Sequence, residues 1–175
     1  HVLIVMPKKL NTEDLASQFR AALASDLALA ARILVKHPGL IDHPVYGRSE
    51  SALHFFATEN RADVARWLLS KGANPNGTAT GGSPLHAAAQ LGHSEVCQAL
   101  IQAGADLNLQ DKFGETPLHK ASSGGYVEVI TRLLDAGADP SSIEPCGELP
   151  VDPALPRKRD QIRALFAGHT NQRRA

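Results

Sequence analysis

The chain has 175 residues, with 18 Lys and Arg against 18 Asp and Glu and a pI near 7.3. That length suits one domain or one repeat array with a proper core, and the charge balance excludes a general nucleic-acid binder. No apolar run approaches the ~18 residues of a membrane span, and two cysteines without a CxxC spacing offer neither a disulfide framework nor a zinc site, which points to a reducing, intracellular (cytoplasmic or nuclear) setting.

Charge is unevenly placed. Six of the basic residues and one acid, Asp160, fall between Arg157 and Ala175, which leaves 12 basic against 17 acidic residues elsewhere. The body is therefore mildly acidic, and the end reads as a solvated last helix and a frayed basic tail over 169–175.

Residues 1–6 precede or include Met6, the only Met, and read as a leader or disordered segment ahead of a native start, or as the edge of a piece cut from a longer protein. Thr12 to Ala24 has a helical pattern with Asn11 or Thr12 as cap and Glu13-Asp14 in its first turn. Asp26 to Lys36 predicts a second helix, closed by His37-Pro38-Gly39. Three units follow, each with two short apolar stripes broken by a Gly or Asn. In the third, Thr116 is a natural N-cap and Pro117 a first helical residue, where its missing N–H is harmless. Gly125 then ends the helix, and Val127, Val129, Ile130, Leu133 and Leu134 form the next stripe up to Gly137. In the first of these units Asn60 stands where the others have Gly92 and Gly125, and is expected to take positive φ. After them, Pro153 and Pro156 block a normal helix, and Asp160 to Phe166 predicts a final one with Ile162, Leu165 and Phe166 inward.

The units share a register. Thr116-Pro117-Leu118-His119, Ser83-Pro84-Leu85-His86 and Ser51-Ala52-Leu53-His54 lie 33 and 32 residues apart, and each is followed 19 residues after its Leu by Gly72-Ala73, Gly104-Ala105 or Gly137-Ala138. Two landmarks moving at one period mean a stack of equivalent units and an extended surface in place of a deep pocket. One loop is a residue short: Gly72 to Leu85 is 13 residues where Gly104 to Leu118 is 14. Its run Gly77-Thr78-Ala79-Thr80-Gly81-Gly82 is expected to be more mobile than its neighbours.

With its TPLH turn, Gly-His pair, apolar helix and Gly-Ala-Asp close, the chain resembles the ankyrin repeat family, strongly over 46–142. The resemblance implies an all-α solenoid of stacked helix-turn-helix units in one domain over 7–168: a degenerate cap at 11–43, full repeats at 46–77, 78–110 and 111–143, and a second cap at 144–168. It also implies that His54, His86 and His119 tie adjacent turns together. Equivalent residues in packed helices sit roughly 10 Å apart, too far for ~2 Å bonds to a common ion, so no metal or other cofactor is expected. No Walker loop, GxGxxG or GxSxG elbow is present. The chain offers no nucleophile, base and orienter at usable spacing.

The expected function is therefore a non-catalytic module, monomeric in itself, that docks another protein or peptide through its concave face, with no specific nucleic acid and no membrane. In the family, variable residues at the turn tips and first helices carry recognition. Mapped here, these are Arg48 and Glu50, Thr58 and Glu59, Gln90 and Leu91, Lys112, Phe113 and Glu115, and Ser123. Phe113 has no apolar duty in the fold and reads as an anchor with a polar rim, or as one of the scattered surface apolars that proteins tolerate. Two other classes stay open: a regulatory or ligand-holding module of a larger enzyme or channel, and a substrate of an asparaginyl hydroxylase at Asn108. For Asn108 the plainer reading is a loop-holding side chain.

Overall fold

The computed structural model describes residues 12–44, 50–79, 81–142 and 158–172. Among them the secondary structure is helical, apart from isolated bridge residues at Glu50 and at the antiparallel pair Ala79 and Gly82. The N-terminal pair is α1 (Thr12–Ser25) and α2 (Leu27–Lys36), followed by a 3-10 turn at Pro38–Leu40. Asp26 separates the two helices because its carboxylate accepts the N–H groups of Ala28 and Leu29, both at 3.0 Å, satisfying donors that the start of α2 leaves open.

Three helix pairs follow in the predicted register: α3 (Ala52–Thr58) with α4 (Ala62–Ser70), α5 (Pro84–Leu91) with α6 (Ser94–Gln102), and α7 (Pro117–Gly124) with α8 (Val127–Asp135). First helices pack on first helices and second on second, giving two layers. The core runs continuously between them through Leu53, Leu68, Leu85, Leu100, Leu118, Ile130 and Leu133, all fully buried. Ala and Ser on the first helices allow close approach, as at Ala88 and Ala121. Phe56 takes the same slot in the first repeat, is buried, and meets Phe55 edge-on with centroids 5.2 Å apart. Asn60 does hold a positive φ, 56°. Gly92 needs its missing Cβ twice over: its φ is 74°, and a Cβ there would overlap the ring of Tyr126 from the next repeat.

Side chains brace one unit to the next. In the loops, Asp42, Asn76 and Asn108 accept the backbone N–H of Asn74, Asp106 and Asp139 at 2.9, 2.8 and 2.8 Å. These bonds recur once per repeat, and Asn108 thus holds its loop to the following one. The outer helices are joined by Arg132. It donates to Ser94 Oγ and Gln98 Oε1 at 2.6 Å on α6, and to Glu128 Oε1 at 3.0 Å on its own helix.

The shortened loop closes tightly. Ala79 and Gly82 exchange both backbone hydrogen bonds, at 2.9 and 3.1 Å, whereas the next turn closes one residue wider, from Asp111 to Glu115. At the C-terminal end α9 (Arg159–Gln172) covers α8 with Ile162 and Phe166 buried. It runs past the boundary expected at 168, because His169 bonds Leu165 O at 2.8 Å and Asp135 Oδ1 at 2.9 Å. The residues that would replace the TPLH turn of the last cap, 147–152, lie outside the described set, as does Cys146. Cys97 is buried in α6, and burial pushes its thiol up to about 12.

Leu100→Ala removes a fully buried side chain from the middle of the stack and is expected to lower stability by about 2–5 kcal/mol. The urea midpoint of the variant against the parent measures it.

Candidate functional site

The recurring histidines occupy the N-termini of the first helices. In α5 and α7 they complete a capping box: Ser83 and Thr116 accept the backbone N–H of His86 and His119, and each imidazole Nδ1 faces the backbone N–H of its Ser or Thr at 3.1 Å. An N–H can only donate, so Nδ1 of His86 must accept, and its Nε2–H then donates to the Glu115 carbonyl of the next turn at 3.0 Å. Burial lowers the pKa of His86, and the Glu115 carbonyl opposes this only in part. Ser83 Oγ lies 2.8 Å from His86 Nδ1, a nucleophile-base distance, yet both residues are buried under the preceding turn and no substrate can reach them. His54 is buried too, and its ring nitrogens have no hydrogen-bond partner among the described residues. Burial lowers its pKa; the Glu50 charge and the nearby Gly82 backbone, which sits outside ordinary hydrogen-bond geometry, act in the other direction. His93 Nε2 bonds Thr58 O at 3.0 Å, closing the end of α3. Among the described residues no group of three or more His, Cys, Asp or Glu could hold a metal ion.

The acids at the start of the second helices are engaged locally. Asp63 takes two hydrogen bonds from Arg61, at 2.9 and 2.8 Å, which hold its carboxyl down at about 2. Glu128 is held below the usual range by hydrogen bonds with Ser94 and Arg132. Trp67 packs partly into the core, with Lys71 Nζ 5.8 Å from its ring centroid.

The turn before α7 is built differently from the rest. Asp111 Oδ1 accepts the N–H groups of Phe113 at 2.8 Å and Glu115 at 3.0 Å, and Lys120 reaches up from α7 to bond both Glu115 and Asp111, the latter at 2.9 Å. The Lys120 and Asp111 side chains are only 11% and 1% exposed. Burial works against both charges, but their mutual bonds outweigh it: the Lys120 pKa is raised and the Asp111 pKa lowered. Ala87 and Phe55 hold the positions equivalent to Lys120, so the stack does not require a charge there. Above this buried cluster Phe113 is 59% exposed, with Lys112 Nζ 4.9 Å and Lys120 Nζ 5.6 Å from its ring centroid.

The other expected contact residues divide by what their side chains already do. Thr58 Oγ1 donates to Phe55 O at 2.7 Å and Ser123 Oγ to Lys120 O at 2.9 Å, so both hydroxyls serve their own helices. Glu115 is bound to Lys120. Glu59, Gln90 and Lys112 are exposed, Glu50 is half-buried, and Leu91 is 45% exposed. Leu91 ends α5, whereas Phe113 precedes the start of the adjacent α7. Arg48 lies outside the described residues. Lys120 and Asp111 were not readable as site residues, because a lone Lys on a helix reads as solvated; only its placement opposite two acids in the preceding turn hints otherwise.

A family model described as ankyrin repeats (3 copies) matches residues 19–111 and again 80–144. The chain belongs to the ankyrin repeat family. Among curated relatives, an ankyrin repeat-containing protein of Schizosaccharomyces pombe is 40% identical over 60 residues, covering 34% of this chain and 29% of that protein. The human neurogenic locus notch homolog protein 4 is 42% identical over 69 residues, 37% of this chain and 3% of that protein. A palmitoyltransferase of Drosophila melanogaster is 41% identical over 66 residues, 35% of this chain and 10% of that protein. The chain thus matches less than a third of the length of each of these relatives. Ankyrin repeats are generally protein-binding modules and typically non-catalytic. Among the described residues no helix is long and apolar enough to cross a membrane.

The buried imidazoles are expected to make ankyrin stacking sensitive to acid. The folded pKa values of His54 and His86 lie below the ~6.5 of an unfolded chain, so their contribution is complete above that pH. As pH falls below it the unfolded chain takes up protons first and stability drops. The urea midpoint is expected to be lower at pH 5.5 than at 7.5, with a smaller difference in His86→Asn; an undiminished difference would place the titration elsewhere.

Proposed function

We propose that this ankyrin domain is a non-catalytic docking module that holds another protein or a peptide on the face formed by its turns and first helices. Phe113 is the anchor and Lys112 the adjoining polar rim, with Glu59, Gln90 and Leu91 as peripheral contacts. The observation that carries this reading is the presentation of Phe113. A large apolar ring stands exposed on a turn that is fastened from beneath by Asp111, Glu115 and Lys120. An anchor already fixed in place loses little freedom on binding, so more of its buried area appears as affinity. Aromatic side chains at the centre of an interface often dominate its energy.

Exposed serine-histidine chemistry would favour an enzyme instead, but the Ser83–His86 and Thr116–His119 pairs are buried. They are better explained by helix capping.

Affinity capture with the full chain as bait should yield a partner whose affinity falls at least tenfold in Phe113→Ala and less in Lys112→Glu, at an unchanged thermal midpoint. Equal binding by parent and both variants would remove the anchor from this face.

A further inference from the structure

The two ends of the stack are finished differently. At the C-terminal end α9 lays Ile162 and Phe166 over α8. At the other end nothing among the described residues covers the side of α1 and α2 that faces away from α4. Helix α2 is mostly apolar, Leu-Ala-Leu-Ala-Ala-Arg-Ile-Leu-Val-Lys, yet only Ala30 is fully buried; Leu27, Ile33 and Leu34 are partly buried against the core, and Leu29 and Val35 are exposed. A terminal unit ordinarily turns a polar side outward, and here Leu29 shares that side with Arg32 and Lys36.

The uncovered side is a groove. One cleft of about 260 Å³ lies between Leu15 on α1 and Leu29, Arg32, Ile33 and Lys36 on α2, with no residue of α3 or α4 in its walls. A second, of about 390 Å³, continues it past the end of α2 toward the 3-10 turn, and the two share Leu15, Lys36 and His37. Leu29 on its rim is 43% exposed. No carboxylate lines either cleft, while Arg32 and Lys36 stand on the edge. This basic rim sits on a body that, without its last 19 residues, carries 12 basic against 17 acidic residues.

We infer that the outer side of the α1–α2 hairpin is a second docking surface, which takes an amphipathic helix of another protein whose apolar stripe is flanked by Asp or Glu. Leu15, Leu29 and Ile33 in its lining call for an apolar stripe, and Arg32 and Lys36 beside them, with no acid in the lining, call for acids beside that stripe. The occupant is helical because, among the described residues, α5 and α6 are covered by the helices of the next pair and α8 by α9. This surface is separate from the Phe113 face, and either stands without the other.

The probe is a synthetic 16-residue helical peptide with Leu at i, i+4, i+7 and i+11 and Glu beside that stripe, titrated into the isotope-labelled full chain. The expected result is amide shift changes centred on Leu15, Leu29 and Ile33. Affinity should fall at least tenfold in Leu29→Asp and in the Arg32→Glu/Lys36→Glu double variant. A peptide with Lys in place of every Glu should fail to bind. If Leu29→Asp lowers the thermal midpoint, the double variant decides alone, since both its side chains are exposed. The inference is overturned by shifts that map outside α1 and α2, by equal binding of the Lys peptide, or by no binding up to millimolar peptide. It is also overturned if the unliganded groove amides move in a Leu3→Asp/Ile4→Asp chain, which would make the chain's own start the occupant. A dimer that forms with rising concentration and vanishes in Leu29→Asp would overturn it as well.

Discussion

The whole molecule depends on sideways burial. A helical hairpin of about 20 residues has no inside of its own, so Leu53, Leu85 and Leu118 leave water only because the next unit lies against them. Hydrophobic contact alone would let neighbouring units slide. The polar braces prevent this: an imidazole Nε2–H from α5 reaches the carbonyl of the following turn, and Asp42, Asn76 and Asn108 each accept an N–H one unit further on. Burial supplies the attraction and these directional bonds set the register.

That division of labour explains why residues that look reactive are inert. Imidazoles beside hydroxyls suggest catalysis, yet here the hydroxyl caps a helix, the ring caps the hydroxyl's own backbone, and the remaining nitrogen ties down a neighbour. Every polar atom of the His86 arrangement has a structural partner and none faces solvent. What the described residues leave open is surface: the turn that presents Phe113, and the side of the N-terminal pair that none of them covers.

Much of this was legible in the sequence because repetition makes each residue's role testable against its copies. The TPLH-like turns, the glycine and Asn60 stops, and the helix pairs follow from a 32–33-residue period and ordinary capping chemistry. The exposure of Phe113 was legible for the same reason, since a turn position needs no apolar side chain. Features that break the repeat were not. Lys120 replaces Ala87, and nothing in a linear pattern says that its ammonium is held by Asp111 and Glu115. The extension of α9 to Gln172 rests on a bond between His169 and Asp135, 34 residues apart. The unpaired ring of His54 has no signature in a motif that otherwise matches its siblings.

His86 braces its own turn to the next through one ring nitrogen, and the protonation of that ring tests the bracing most directly. Long-range nitrogen–proton correlation on the isotope-labelled chain at pH 7 should show His86 as the Nε2–H tautomer, with its proton protected from exchange and coupled through the hydrogen bond to the Glu115 carbonyl. A proton on Nδ1, or a ring that exchanges freely with water, would contradict the bracing on which the stack depends.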